Sequence, residues 1–136
     1  MPETMPPVEA FHNGFYYFIR ALSILAEDPE TQCKLMGDCN VAWELHRDVG
    51  DGEYLANNAE GQLFREERDA ILALMHLLEE VPVSELPAGD GRNQNLTAMM
   101  HPAWRPLRVQ AASLLEVLKP AITRNKNHFD LQGTID

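Results

Sequence analysis

The chain has 136 residues, the size of one ordinary domain. With 45% hydrophobic and 24% charged residues it can bury a core without metal or disulfide staples, which excludes a disordered chain. Twenty-one acids against eleven bases leave a net charge of -10 at pH 7, a sign that repels nucleic-acid phosphates and attracts basic proteins or cations. No apolar run approaches the ~20 residues that span a bilayer, and Met1-Pro-Glu-Thr-Met-Pro-Pro lacks the basic and apolar regions of a signal peptide, so a cytoplasmic protein without a membrane partner is expected.

Val8, Phe11, Phe15, Ile19, Leu22 and Ala26 recur at three- and four-residue spacing and predict a first helix from about Val8 to Ala26. Phe15-Tyr16-Tyr17-Phe18-Ile19 is apolar nearly all round, and Tyr17 should point away from Phe15. A helix of that kind is covered on two sides, by the rest of the bundle or by a partner, so a homodimer through this helix is one expectation. Asp28-Pro29-Glu30 is a helix start, with a capping acid, a proline suited to the first position and an acid at the positive end of the dipole. The second predicted helix runs from about Pro29 to Val49, buries Leu35, Cys39, Ala42, Trp43 and Val49, and stops at Gly50-Asp51-Gly52. Cys33 and Cys39, six apart on it, are separated by a rise of about 9 Å, beyond disulfide reach. Their C-x5-C spacing is also a poor zinc signal, so both read as small core or boundary residues.

Asn57-Asn58 and Gly61 argue against a stable helix over 53–61, which reads as a connection. Leu63, Phe64, Ile71, Leu74 and Leu78 predict a third helix from about Gln62 to Glu80, ended by Pro82. Two prolines and two glycines make 82–95 a long surface loop, with a short turn at 96–101. In the fourth predicted helix Pro106 sits in the first turn, Leu107, Ala111, Leu114, Leu118 and Ile122 are buried, and Lys119-Pro120 ends or kinks it. The expected fold is one all-α domain over 1–136, an up-and-down bundle of four main helices with a long loop between the third and fourth. Its core covers about 8–123, and a polar tail follows from 124 to 136.

No Walker loop, G-x-G-x-x-G, H-E-x-x-H, G-x-S-x-G or EF-hand pattern is present, so no catalytic residue is assigned. Two residues break the hydrophobic pattern: His46 inside the apolar face of the second predicted helix, and Glu67 inside that of the third. A buried imidazole and a buried carboxylate both need partners, and in an up-and-down bundle they could reach each other. His12 would come to the same end, and the three together could hold one divalent metal ion. That is the alternative reading, a small metal-binding or enzymatic bundle on His12, His46 and Glu67.

The favoured reading needs no cofactor: an acidic helical protein-interaction module that binds a basic protein and acts as an inhibitor, as immunity proteins and antitoxins do. Residues 27–60 carry nine acids and two bases, which would steer such a partner. Glu30, Asp38, Glu44, Asp48 and Asp51 are the expected contact acids. Trp104, on a proline-bounded turn beside Arg105 and Arg108, is the expected aromatic contact.

Overall fold

A computed structural model describes residues 7–37, 40–86 and 91–125. Among them the protein is all-helical, with eight α-helices and one 3-10 turn. The first, α1 (Pro7–Leu25), buries Phe11, Phe15, Ile19, Leu22 and Leu25 on one face, as the spacing predicts. Asp28 then caps α2 (Pro29–Met36): its carboxylate accepts from the Thr31 N–H and the Thr31 hydroxyl, both at 2.9 Å.

The helix predicted over 29–49 is two helices. Gly37 sits at φ 79°, in the left-handed region that glycine enters without cost, and its N–H donates to the Cys33 carbonyl. Asn40 caps α3 (Val41–Gly50) by accepting from the Trp43 N–H at 3.3 Å. A buried tertiary bond fixes the restart, the Val41 N–H donating 3.2 Å to the Asn95 side-chain oxygen. Because the helix breaks between Met36 and Val41, one continuous face does not describe the two halves. Leu35 and Trp43, expected in the core, are 58% and 49% exposed, and Leu45 is buried instead. Cys39 lies outside the described residues, and Cys33 is half-buried.

The expected connection at 53–61 contains α4 (Gly52–Asn57), which buries Leu55 and Ala56. Gly52 begins it at a close approach: a Cβ there would stand 2.6 Å from the Phe18 ring and 3.1 Å from the Met75 methyl. Burial thus overrides the weak local propensity of Asn57-Asn58. Helix α5 (Arg65–Leu78) buries Ile71, Leu74 and Leu78, while Phe64, expected in the core, is its N-terminal flanking residue and 58% exposed.

The described part of the expected long loop holds the 3-10 turn Val83–Glu85, and α6 (Arg92–Met99) begins inside its predicted span, so the loop is shorter than the sequence suggests. Residues 87–90 of it, and the tail beyond Asn125, lie outside the described residues. In α7 (Trp104–Val117) Pro106 occupies the first turn, where its missing N–H costs nothing, and Leu107, Ala111 and Leu114 are buried. Helix α8 (Lys119–Arg124) follows directly, with Pro120 in its first turn. Helix α1 packs on α7, α3, α4 and α2, while α5 packs on α7 and α4 and α2 on α6. The core is thus closed around the inner face of α1, and its outer face is left to form the site below.

Candidate partner-binding groove

Pro7, Ala10, Gly14, Tyr17, Ala21 and Ile24 alternate at spacings of three and four along α1. At about 100° per residue they form a single stripe, turned away from Phe15 and Leu22. All six line one open groove of about 920 Å³. Tyr17 of α1 is 57% exposed, and Tyr54 of α4, on the groove wall, is 70% exposed. Three acids edge the groove: Asp48 from α3, Asp51 from the α3–α4 junction and Glu60 from the segment after α4. Among the described residues Arg20 is the one arginine that lines it. A concave apolar floor with aromatic walls and a mainly acidic rim can take up an apolar surface that carries positive charge.

The expected contact acids fall into separate places. Asp48 and Asp51 come together on the groove. Glu44 lies one turn before Asp48 on α3, and Arg47 pairs with both, at 2.6 Å to Glu44 and 3.3 Å to Asp48, while its guanidinium lies 5.0 Å over the Trp43 ring. That internal pairing tempers the negative field on this face. Glu30 is exposed in the first turn of α2, beside a second cavity of about 750 Å³ between α2 and α6, which Lys34 and Arg92 also line. Asp38 lies outside the described residues.

Trp104 does not stand on a recognition surface. It is 0% exposed, and its indole N–H donates 3.1 Å to the Ala98 carbonyl, which satisfies the one polar atom of a core side chain. Of its basic neighbours, Arg105 is exposed, whereas Arg108 is half-buried and donates to the Met99 carbonyl. Burial lowers the pKa of the Arg108 guanidinium, the charge of Arg105 lowers it further, and Asp28 acts the other way.

His46 and Glu67 also have partners other than each other. The His46 Nε2–H donates 3.1 Å to the Leu78 carbonyl, at the end of α5. Glu67, 4% exposed, accepts from the Phe64 N–H at 2.7 Å and pairs with Arg124 at 2.6 Å, at the start of α5. Leu78 and Glu67 are eleven residues apart on one helix, a rise of about 16 Å. Arg124 also donates to the Gln62 carbonyl at 3.1 Å and lies 4.1 Å over the Phe64 ring, so Glu67 belongs to a clasp joining α8 to the entry of α5. His12 is 6% exposed on α1, next to the edge of the Phe11 ring. Among the described residues no group of three or more His, Cys, Asp or Glu side chains is placed to hold a metal ion.

Sequence reasoning did not find Tyr54, Glu60 or the small residues Ala10, Gly14 and Ala21 as site residues. The alternation of three and four over residues 7–24 was the available signal, partly visible as the second apolar side of the first helix. Among the described residues no helix is long and apolar enough to cross a membrane. Compared with protein-family models, with curated proteins and with solved structures, the chain matches none.

Proposed function

We propose that the chain is an acidic protein-interaction module that binds a basic partner protein through the groove on α1. The observation that carries this reading is the groove itself: a long apolar stripe along α1, two exposed tyrosines and, among the described residues, a rim of Asp48, Asp51 and Glu60 against Arg20, with Arg47 paired to Asp48. Apolar surface left open in this way marks an interaction site, and tyrosine is enriched where binding energy concentrates. The net charge of -10 steers a basic protein toward it. A partner whose own working surface is basic would be covered by such contact, which is the action of an inhibitor.

The test is affinity purification with the wild-type chain, Tyr17→Lys and the pair Asp48→Lys with Asp51→Lys, followed by binding measurements on each isolated candidate. A partner of this site is basic, is held by wild type, is lost by both variants and associates more slowly as salt rises, since exposed charges are screened beyond ~8 Å at physiological ionic strength. If every protein retained by wild type is retained equally by both variants, the groove is not the binding site.

A further inference from the structure

We propose that the groove receives one amphipathic α-helix of its partner, laid along α1 with its apolar face on the stripe and its lysines and arginines turned toward α3 and α4. This rests on the reading of the groove as a partner site, and it names the element that fills it.

The first argument is spacing. Residues 7, 14 and 21 recur every seven positions, and so do 10, 17 and 24, the two-turn repeat that keeps one seam facing a second helix along its whole length. The seam covers 17 residue steps, about 26 Å, which matches a partner helix of roughly 18 residues. Ala10 is exposed and small, whereas Ala21 is buried and Gly14 lies under Leu55 of α4, which a Cβ there would meet at 3.1 Å, so a second helix would rest on Ala10 and Tyr17 and beside Leu55. Tyr17 and Tyr54 serve as anchors with a wet hydroxyl end.

The second argument is what the backbone offers. Among the described residues there is no strand, so an extended peptide finds no sheet edge to join, whereas a helix arrives with its own backbone bonds made.

The third argument is charge. On the α1 wheel Phe11 and Phe18 flank the seam by about 80–100° on one side. Phe18 packs at the start of α4, so that is the side of α3 and α4 and hence of Asp48, Asp51 and Glu60. Arg20 lies about 80° to the other side. The partner helix therefore carries basic residues on the flank over α4 and an acid on the flank over Arg20. A second copy of this chain fits less well. Antiparallel pairing of two α1 seams sets acid on acid, and parallel pairing sets three carboxylates against one arginine, between molecules that each carry -10.

Calorimetric titration with three 18-residue peptides tests the idea: a leucine/lysine sequence with its leucines on one helical face, a scramble of it with no apolar face, and the leucine/glutamate equivalent of the first. Only the amphipathic leucine/lysine peptide should bind, gaining helix by circular dichroism. Tyr17→Arg combined with Ala10→Arg, both at exposed positions, should weaken it at least tenfold, and so should Asp48→Lys with Asp51→Lys, whereas Glu66→Lys with Asp69→Lys, outside the groove, should change it less than twofold. Tyr54→Ala, which leaves α1 untouched, should weaken it as well and guards against misfolding of the seam variant. If the scramble binds as tightly and is lost in the same groove variants, the site stands and the helical occupant is wrong. If no peptide responds to the seam or rim changes, or the control pair weakens binding equally, the groove reading falls too. If the wild-type chain sediments as a dimer that the seam variant dissociates, the occupant is a second copy and the charge argument is overturned.

Discussion

Glu67 shows how a side chain that breaks a hydrophobic pattern finds its place. Its carboxylate is buried at the start of α5, where it accepts the Phe64 N–H and meets Arg124. Removing it leaves the partly buried Phe64 N–H without its acceptor and Arg124, itself only 33% exposed in its side chain, without its anion. Glu67→Ala should cost about 1–3 kcal/mol in chemical denaturation. In double-mutant cycles Glu67→Ala should couple to Arg124→Ala and be additive with His46→Ala; coupling to His46 alone would contradict the clasp. At Asp28 the Thr31 N–H, assisted by the Thr31 hydroxyl, holds the carboxyl below the ordinary carboxylate range. A folded-state value below the unfolded one contributes stability that is present above the unfolded pKa and is lost as pH falls through the folded one. The stability gap between wild type and Asp28→Ala should therefore be full at neutral pH and close in acid, and a gap independent of pH would show that the cap does not act through its charge.

At the scale of elements, the break between α2 and α3 separates local sequence signals from overall pattern. Gly37 and Asn40 are a stop and a start, yet the surrounding apolar residues suggest one helix through them. The sign of one mutation decides between these arrangements. In a continuous exposed helix Gly37→Ala would stabilise by about 1 kcal/mol. At φ 79°, with nothing within 4 Å of the new Cβ, it should instead destabilise by about 1–2 kcal/mol through backbone conformation alone. Asn40→Ala should add a loss of about 1 kcal/mol by removing the cap at the Trp43 N–H. A rise in melting temperature for Gly37→Ala would restore the single helix. Helix α4 teaches the converse lesson: its propensity is poor, and it exists because Gly52, Leu55 and Ala56 pack under α1 and α5.

Over the whole molecule, 11 acids against 3 bases in residues 1–60 place most of the excess charge on the part of the chain that builds the groove. Self-repulsion of that kind destabilises a compact state and is screened by salt. The melting temperature at pH 7 should rise from ~10 mM to ~150 mM sodium chloride, and the rise should shrink in Asp48→Lys with Asp51→Lys; a flat or falling curve would show that the acids are already compensated locally, as Arg47 compensates Glu44. The sequence by itself determined the helical class, the extent of α1, the cap at Asp28 and the buried face of α7, because a 3.6-residue period and a capping side chain are local properties. Tertiary structure decided which apolar residues stay outside and what each buried polar group meets. Trp43 and Leu35 are exposed where the helix predicted through them breaks into α2 and α3, Trp104 is enclosed where α6 supplies the carbonyl its indole needs, and Glu67 is satisfied by an arginine 57 residues away. The acidic groove belongs to the same class: its seam is written in α1 alone, but its depth and its acid rim come from α3 and α4 folding beside it, contacts that no local period encodes.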